Sequence, residues 1–461
     1  MNALWTSDEI ATATGGMAGA AFSASGVAFD SREIEPGHLF VALKGESTDG
    51  HLFVEQAFAR GASGALVSQP AQHPHVLVPD TMRGLEALGI ASRARATGRI
   101  AGITGSVGKT GTKEALRLAL ERSAPGRVHA SVKSYNNHTG VPLSLARMPA
   151  DSCYGVFEMG MNHAGELAAL TRLVRPHVAV VTWIASAHRE FFASEEAIAD
   201  AKGEIFEGLE PGGTAIIPFD SPHRDRLIGH ARPHAGKIVT FGSGEGADVR
   251  ASHVGTGREG GSLISAELGG RTLTFSVGMA GAHWVNNALA VIAAVDALGG
   301  DLAAAGLALA DLKGLPGRGA RRRISIGGEA ALLIDESYNA NPASMAAALR
   351  VLGETPATGR KIAVLGAMRE LGPGSDEYHA GLADAVLASG AAHALVVGPE
   401  MAALASALGS GIDVRHLADA AAAEQALRDL IGAGDVVLVK GSNSVGLGRL
   451  VASLSDDGVE S

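Results

Sequence analysis

The chain has 461 residues, more than a single hydrophobic core usually supports, so we expect about two to four domains. Its formal net charge of −10 argues against a nucleic-acid-binding surface, and its one cysteine, Cys153, excludes an internal disulfide framework. The sequence has no signal-peptide pattern and no apolar run long enough to cross a bilayer. We therefore expect a cytoplasmic protein without membrane insertion, and we expect it to act as a monomer.

Residues 1–97 predict a small mixed α/β module. Two short β-type runs alternate with a helical pattern, at residues 38–43, 65–68 and 52–60. Polar residues interrupt the module at 29–32 and again at 44–51, and such clusters are typical of surface turns. Arg32 and Lys44 are equally compatible with a pocket for an anionic group, so both interpretations stay open.

Residues 102–110, Gly-Ile-Thr-Gly-Ser-Val-Gly-Lys-Thr, follow an apolar run and precede a helical pattern. A strand, a glycine-rich turn ending in Gly-Lys-Thr and a helix are typical of a P-loop, whose backbone N–H groups surround phosphate oxygens. In a P-loop, Lys109 would reach the β- and γ-phosphates and the Thr110 hydroxyl would hold Mg²⁺. Ile103 stands where the usual pattern has glycine, and an ordinary helix N-terminus is the alternative. The stretch predicts a nucleotide site.

From residue 98 to residue 323, strands and helices alternate, which predicts βαβ units around a mostly parallel sheet. Apolar strands are predicted at residues 99–103, 154–158, 177–184, 213–218 and 237–241. In such sheets, ligands collect outside the carboxyl ends of the strands. We therefore expect the P-loop, Glu158 and His188 to share one rim.

Three side chains of this region have two interpretations each. Glu158, at a strand end, is either a carboxylate for Mg²⁺ or a helix cap. His188 is either a metal ligand or a histidine that is merely hydrogen-bonded. Lys202 lies in a helical pattern among acidic residues, and composition alone favours a solvated lysine with i,i+4 partners.

The segment 313–323 is rich in glycine and arginine and predicts a linker. A second α/β run follows over residues 324–461, with strands and helices in alternation, which predicts a Rossmann-like domain. A polar cluster at 335–342 comes directly after its first strand. Lys440 and Ser442 come directly after its last strand, where a simple Gly-Ser turn is the alternative.

Taken together, these stretches resemble the Mur ligase family, the ATP-dependent amide-forming enzymes of peptidoglycan precursor synthesis. Residues 104–110 reproduce the family's Thr-Gly-Ser-x-Gly-Lys-Thr loop, which accounts for Ile103. Other motifs of the resemblance lie at residues 30–32, 49–51, 136–143, 158–163, 201–204, 335–342 and 439–442. Residues 136–137 and 158–162 are similar to the family type that adds D-alanyl-D-alanine to UDP-MurNAc-tripeptide. The Asp-Asn-Pro-Arg motif of the diaminopimelate-adding type does not occur in the sequence.

The resemblance implies three domains. A small mixed α/β domain at residues 1–97 would bind UDP-MurNAc, and a central P-loop domain at residues 98–323 would bind ATP. A Rossmann-like domain at residues 324–461 would close on ATP and bind the incoming dipeptide.

The resemblance also implies roles for individual residues. Lys109, Lys202 and His188 would act in catalysis, Lys202 as a carbamate. Two Mg²⁺ ions would be held by Thr110, Glu158, His188 and Lys202. ATP would contact Gly105, Ser106, Val107, Gly108, Lys109, Thr110, Gly111, Asn287 and Arg318, with Asp335 and Tyr338 closing on its ribose and base. The other substrates would contact Ser31, Arg32, Lys44, Asp49, His51, Asn136, Asn137, Thr139, Lys440 and Ser442.

Two departures and two alternatives belong to this prediction. Family members often have Asn where Trp284 stands and Thr where Gly111 stands, so the local contacts there are open. A ligase of the folylpolyglutamate type is an alternative, although it gives no reason for the motifs at residues 30–32 and 49–51. A P-loop regulatory ATPase is another, although it would need neither the cluster at 335–342 nor an acceptor site.

Overall fold

The computed structural model describes residues 3–45, 48–186, 190–257, 261–326 and 329–456. Within these ranges the strands form three large sheets, one in each of three successive regions of the chain, and one two-stranded sheet in the first region. Helices cover the sheets, and the predicted α/β class is confirmed. No helix in these ranges is both long and apolar enough to span a membrane.

The first region is built on a sheet with the strand order β2-β7-β6-β5-β4, in which β4 to β7 run parallel. Its central strands are wholly buried, and α3 covers one face. The Thr6 hydroxyl and the Glu9 side chain form a capping box that starts α1. The elements are β1 (Trp5–Thr6), α1 (Ser7–Thr14), β2 (Met17–Ala18), β3 (Ser23–Ala24), β4 (Gly26–Ala28), β5 (His38–Val41), α2 (Val54–Ala59), β6 (Gly64–Val67), β7 (His75–Leu77) and α3 (Thr81–Arg95).

The middle region contains a sheet with the order β16-β15-β14-β13-β12-β11-β8-β10-β9. Strands β8 to β14 pair in parallel, and β15 and β16 extend the sheet as antiparallel strands. The elements are β8 (Arg99–Thr104), α4 (Lys109–Glu121), β9 (Val128–Ala130), α5 (Gly140–Ala146), β10 (Tyr154–Glu158), α6 (Glu166–Val174), β11 (Val178–Val181), α7 (Glu195–Gly203), β12 (Thr214–Pro218), α8 (Arg224–Ala231), β13 (Lys237–Gly242), β14 (Val249–Thr256), β15 (Ser262–Leu268), β16 (Arg271–Val277), α9 (Ala282–Ala297) and α10 (Leu302–Ala310).

Two hydrophobic cores sandwich the parallel part of this sheet. One face packs against α4, α9 and α10, and the other packs against α5 to α8. Strands buried on both faces are expected to be continuously apolar, as β11 and β12 are. The arrangement leaves the carboxyl ends of β8, β10 and β11 free to carry the site.

The third region has the strand order β17-β18-β22-β19-β20-β21, parallel except for β17. This is the Rossmann-like sheet predicted from the sequence. The elements are β17 (Ala320–Ile326), β18 (Glu329–Glu336), α11 (Pro342–Glu354), β19 (Lys361–Gly366), α12 (Ser375–Ala380), α13 (Ala383–Ala388), β20 (His393–Val397), α14 (Ala402–Leu408), β21 (Asp413–Leu417), α15 (Ala420–Leu430), β22 (Val436–Lys440) and α16 (Leu447–Asp456).

The linker prediction for residues 313–323 is wrong from Ala320 onward. Residues 320–323 begin β17, which pairs antiparallel with β18 at the edge of the third sheet. Ala320 and Ile324 are buried, whereas the arginines between them are not. An edge strand with one solvated face tolerates such charges, and this hides its strand pattern in the sequence. The connecting segment is therefore 311–319, which we call the linker.

Candidate active site

The turn between β8 and α4 has the backbone of a phosphate-binding loop. Gly105 and Gly108 have φ angles of 151° and 84°, which favour glycine. A Cβ atom built on Gly105 would lie 1.9 Å from the Thr182 hydroxyl oxygen, so a side chain cannot fit there. The Ser106 N–H donates to the Trp183 carbonyl at 2.7 Å, which fixes the turn against the end of β11. The turn is therefore held in one conformation by its neighbouring strand.

This turn borders a cavity of about 410 Å³ between the middle and third regions. Helix α4 begins at Lys109, and the first N–H groups of a helix have no acceptor within the helix. The buried Ser106 hydroxyl, at the cavity wall, has no hydrogen-bond partner among the described residues. Free N–H groups, a positive helix end and an unpartnered hydroxyl fit an anionic phosphate group.

Glu158 stands at the end of β10 and faces the same cavity. One of its carboxylate oxygens accepts from the Thr110 hydroxyl at 2.8 Å, and the other accepts from the Asn136 amide at 2.7 Å. The Glu158 N–H donates to the Ser131 hydroxyl at 3.0 Å. Glu158 is 1% exposed, so its contacts hold a buried carboxylate beside the phosphate-binding turn.

Hydroxyl and carboxylate oxygens are ligands that Mg²⁺ prefers. In the part of the chain that the structure describes, no cluster of three or more His, Cys, Asp or Glu side chains is arranged to hold a metal ion. Mg²⁺ commonly takes one or two protein oxygens and completes its shell with phosphates and water. The Thr110 and Glu158 oxygens fit that requirement.

Two lysines near this corner are perturbed by burial. The Lys109 ammonium donates to the Gly105 carbonyl at 2.6 Å, and burial lowers its pKa while Glu158 opposes the shift. Lys202, on α7, is 0% exposed, and its amine has no hydrogen-bond partner among the described residues. Burial, and then the nearby Lys109 charge, hold the pKa of Lys202 well below its usual value. The solvated-lysine interpretation of Lys202 is therefore wrong.

The opposite wall of the cavity comes from the linker, α9 and the third region. The Arg318 guanidinium lies 4.2 Å from the centroid of the Tyr338 ring, and it donates to the Ser134 hydroxyl at 3.2 Å. The Asn287 side chain approaches Gly108 so closely that a Cβ atom there would lie 2.8 Å from its oxygen. These side chains line a slot that faces the turn.

Lys440 closes the third-region side of the cavity. Its buried ammonium donates to the Asn339 carbonyl at 2.9 Å and lies 3.4 Å from a Glu336 carboxylate oxygen. Burial lowers its pKa, and Glu336 opposes that shift. The Ser442 hydroxyl accepts from the Arg369 N–H at 3.0 Å, so Ser442 fixes the loop after β19.

Three family models cover most of the chain. The Mur ligase family, catalytic domain, matches residues 23–98; the Mur ligase middle domain matches residues 103–295; and the Mur ligase, glutamate ligase domain, matches residues 322–443. The UDP-N-acetylmuramoyl-tripeptide–D-alanyl-D-alanine ligase of Escherichia coli is 37% identical, with 96% of each chain covered. The chain belongs to the Mur ligase family.

Other relatives and solved structures agree with this assignment. The Bacillus subtilis ligase of the same name is 34% identical over 93% of each chain. A crystal structure of MurF from Acinetobacter baumannii has a TM-score of 0.84 and 32% identity, and it covers 98% of this chain and 99% of its own. The MurF ligase of Thermotoga maritima in complex with ADP has a TM-score of 0.77 and 28% identity, with 94% and 97% covered. The predicted ATP-dependent amide-bond-forming activity is confirmed by the family.

In this Mur ligase most of the predicted nucleotide residues meet at one cavity. Its lining includes Ser106, Val107, Gly108, Lys109, Thr110, Gly111, Asn136, Glu158, Asn287, Arg318, Tyr338 and Lys440. Gly105 supports the turn from behind. His188 lies outside the described residues.

Asp335 does not face the cavity in this structure. Its carboxylate accepts from the Gly317 N–H at 2.7 Å and from the Ser337 N–H and hydroxyl, and it is 2% exposed. The following residue, Glu336, lines the cavity. The carboxylate of Asp335 is already bonded to Gly317 of the linker and to Ser337, so in this structure it does not face a nucleotide ribose as expected.

The predicted substrate residues of the first region lie outside the cavity lining. Ser31 donates to Gln56 at 2.9 Å, and Arg32 pairs with Asp30 while remaining 82% exposed. Lys44 is exposed as well. Ser31 and Arg32 lie in the 3-10 turn that follows β4, and Lys44 precedes the 3-10 turn that follows β5.

Asp49 and His51 form a separate hydrogen-bonded pair. The His51 Nε2 atom accepts from the Ser68 N–H at 2.9 Å, so Nδ1 carries the proton and donates to Asp49 at 2.6 Å. The histidine ring is therefore fixed in orientation by both contacts.

Asn137 and Thr139 shape the start of α5. The Asn137 side-chain oxygen accepts from the N–H groups of Thr139 and Gly140, at 3.3 and 2.9 Å. Of these neighbours, only Asn136 reaches the cavity, through its contact with Glu158.

Several cavity residues received no role from the sequence. They are Ser134, Thr182, Trp183, His283, Trp284 and Glu336. Two carried a usable signal: Thr182 and Trp183 follow an apolar strand at the carboxyl edge of the sheet, where ligands collect. Trp284 lies 3.1 Å from a Cβ atom built on Gly111, so the two departures from the family pattern are in contact with each other.

Proposed function

We propose that this Mur ligase joins D-alanyl-D-alanine to UDP-MurNAc-tripeptide, giving UDP-MurNAc-pentapeptide, ADP and phosphate in peptidoglycan precursor synthesis. The choice of substrates is supported by relatives named UDP-N-acetylmuramoyl-tripeptide–D-alanyl-D-alanine ligase, which are 31–37% identical over more than nine-tenths of the chain. The observation that carries the proposal is the corner where the Thr110 hydroxyl and the Glu158 carboxylate meet beside the phosphate-binding turn. We further propose that it acts as a monomer in the cytoplasm, as the sequence predicts.

We assign the substrates to three parts of the chain. Residues 1–97 would bind UDP-MurNAc through Ser31, Arg32, Lys44, Asp49 and His51. Further substrate contacts would come from the middle region, through Asn136, Asn137 and Thr139. Residues 98–323 would bind ATP. Residues 324–461 would close on it and bind the dipeptide, with Lys440 and Ser442 nearby.

We propose that the nucleotide lies with its phosphates on the turn and α4. Lys109 would bind the γ-phosphate once it leaves the Gly105 carbonyl, and Arg318 and Tyr338 would form a charged and aromatic wall beside the nucleotide. In place of Asp335, we assign the ribose contact to Glu336, which faces the cavity.

Thr110 and Glu158 would hold one Mg²⁺ ion, and a second is proposed near Lys202 and His188. Mg²⁺ would neutralise charge that develops on the transferred phosphoryl group. The oxygens of Thr110 and Glu158 fit the first ion, and the second depends on the modification of Lys202.

We propose that Lys202 is carbamylated. A neutral amine is the form that attacks CO₂: its nitrogen bonds to the carbon, a proton leaves, and a carbamate anion results. Burial favours that neutral amine, and the absence of a partner among the described residues leaves room for a metal ligand or water. The carbamate would place an anion that faces metal charge where the unmodified amine has no hydrogen-bond partner among the described residues.

The reaction would follow in two steps. The terminal carboxylate of the tripeptide attacks the γ-phosphorus, the bond to the ADP oxygen breaks, and an acyl phosphate forms. The amine of D-alanyl-D-alanine then attacks the acyl carbon, phosphate leaves, and the nitrogen loses a proton. An acyl phosphate hydrolyses readily, so closure of the third region over the cavity would exclude water.

The test is phosphate release from ATP with each substrate added alone and with both together. We expect release only when UDP-MurNAc-tripeptide and D-alanyl-D-alanine are both present, because the second step clears the intermediate. A glutamate acceptor in place of the dipeptide should give no product. Equal ATP hydrolysis without either acceptor would contradict the proposal.

A further inference from the structure

Residues 131–137, which we call the coupling segment, touch the first region, the rest of the middle region and the linker. The segment follows β9 and carries Asn136, which binds the Glu158 carboxylate. Lys133 and Tyr135 both bind the Glu33 carboxylate of the first region, the tyrosine hydroxyl at 2.9 Å. Ser134 accepts from Arg318 of the linker. A single short loop therefore contacts the metal carboxylate, the first region and the linker.

Lys113 holds this segment from below. It stands one turn after Lys109 on α4, and its side chain is 0% exposed. Its ammonium donates to the carbonyls of Ser131 and Lys133, at 2.7 and 3.3 Å. The Glu114 carboxylate, 2.6 Å away, neutralises the buried charge. All of these contacts are with residues of the coupling segment or of α4, and Lys113 does not line the cavity.

The backbone of the coupling segment needs such support. Lys133 has a φ angle of 54°, which a residue with a Cβ atom adopts only when its surroundings enforce it. Lys113 binds the carbonyl of this residue and the carbonyl of Ser131, two residues before it. A buried carbonyl without a donor is unfavourable, so removal of the ammonium releases the backbone from this conformation.

Two hydrogen bonds connect the coupling segment to Glu158, so a change in the segment alters the position of Glu158. The Ser131 hydroxyl accepts from the Glu158 N–H at 3.0 Å, which fixes the backbone of that residue. Asn136 fixes its carboxylate at 2.7 Å. Ser131 and Asn136 both belong to the segment that Lys113 secures, whereas the third partner of Glu158, Thr110, lies on α4.

We propose that Lys113 is a positioning residue for Mg²⁺-nucleotide binding, because it fixes the coupling segment that orients Glu158. The inference rests on the proposed function for the identity of the nucleotide and the ion. It does not depend on which acceptor the enzyme uses.

The experiment measures MgADP binding by titration calorimetry over a series of Mg²⁺ concentrations, together with the thermal midpoint of each protein. The variants are Lys113→Met and, as a matched control, Lys361→Met. Lys361 also donates to a backbone carbonyl, that of Gly353, but lies in the third region on β19. We expect Lys113→Met to raise the Mg²⁺ concentration for half-maximal binding about tenfold, the range in which supporting partners of metal ligands act. The control should leave it unchanged.

A second variant keeps the test decisive if Lys113→Met does not fold. Ser131→Ala removes the hydroxyl that accepts from the Glu158 N–H and creates no buried charge, and we expect it to raise the Mg²⁺ requirement in the same direction. If either folded variant loses thermal stability while its Mg²⁺ requirement equals that of the wild type, Lys113 is only structural. The titration contains neither UDP-MurNAc-tripeptide nor D-alanyl-D-alanine, so it tests the role of Lys113 independently of the ligase reaction. If the wild type binds MgADP but joins no substrates, the proposed reaction is refuted and the proposal for Lys113 is not.

Discussion

At the scale of single residues, Lys202 illustrates how burial changes the chemistry of a side chain. An exposed lysine is protonated at neutral pH and cannot act as a nucleophile. Lys202 is buried, and burial, followed by the charge of the nearby Lys109, holds its pKa well below the usual value, which favours the neutral amine. The same burial makes an unmodified amine unfavourable, because it lacks a partner among the described residues.

Replacement of Lys202 by alanine tests the carbamate. We expect Lys202→Ala to lower kcat about 100-fold, because a metal-site anion is lost. Acetate or propionate should restore part of the activity by occupying the vacated space. Arg226→Ala, at an exposed ion pair with Asp200 on the same helix as Lys202, serves as a control. Phosphate release with and without these acids is the measurement. A variant with wild-type kcat would exclude a role for the carbamate.

The unmodified lysine should also reduce stability in a pH-dependent way. The folded pKa is lowered, so below the unfolded pKa of about 10.4 the unfolded chain binds a proton that the folded chain rejects. The free energy of unfolding should therefore rise as pH increases toward about 10.4. In CO₂-free buffer at pH 7, we expect Lys202→Met to be about 1–3 kcal/mol more stable than the wild type. Urea unfolding measures this, and added bicarbonate should remove the difference.

At the scale of elements, His129 joins β9 to α5. Its Nε2 atom donates to the Ser144 carbonyl at 2.7 Å, so Nδ1 is the nitrogen that titrates. The pKa of His129 is lowered to about 4, mainly by burial; the Ser144 bond opposes the shift, and the charge of Arg147 contributes to it. The neutral ring is therefore part of this contact.

This histidine predicts an acid-sensitive link between the two elements. Between an unfolded pKa of about 6.5 and the folded value of about 4, only the unfolded chain binds the proton, so stability is lost as pH falls through that window. His129→Gln keeps a donor for Ser144 and removes the titration. We expect its urea midpoint to fall less than that of the wild type between pH 6.5 and pH 4. Parallel pH profiles would contradict this account.

The elements also show how far the sequence can predict this fold. The P-loop, the parallel strands and the Rossmann-like sheet follow from apolar runs and glycine spacing. Apolar runs and glycine spacing do not predict which of Asp335 and Glu336 faces the cavity. Successive strand residues point to opposite faces, and both of these residues are acidic. Only the pairing of β18 and the position of the linker place Glu336 in the cavity.

The edge strands were harder to predict for a different reason. Strand β14 is exposed along most of its second half and contains serine, histidine and glycine, so its alternation is weak. Strands β15 and β16 do alternate, with buried residues at every second position of β15 from Ile264 onward and apolar residues at every second position of β16 from Leu273 onward. Pairing with β13 and β15, rather than side-chain burial, decides the conformation of β14. The site residues that the sequence missed, such as Ser134, reach the cavity only through tertiary contacts.

At the scale of the whole molecule, the Asp335 carboxylate links the third sheet to the linker. It binds the Gly317 N–H directly, and the next residue, Arg318, stacks on Tyr338 at the cavity wall. The position of the third region over the nucleotide therefore depends on a buried carboxylate that does not touch the cavity.

Replacement of Asp335 by alanine should loosen this arrangement. Hydrogen bonds to a charged group contribute about 1.5–3 kcal/mol each, so we expect a tenfold or greater rise in the KM for ATP with a smaller change in the KM for the UDP substrate. Small-angle scattering should show compaction on nucleotide addition in the wild type and less in Asp335→Ala. Asp225→Ala, at an exposed local pair, is the control. If Asp335→Ala compacts as much as the wild type on nucleotide addition, Asp335 has no role in domain closure.

The position of Asp335 also bears on inhibitor design. A compound fitted to the closed cavity draws its affinity from two walls whose spacing is set by the linker. Substitutions at Gly317 or Asp335 would alter that spacing without removing any atom that the compound touches. Resistance could then arise outside the binding site, whereas a compound anchored only on the phosphate-binding turn and Glu158 would be insensitive to such changes.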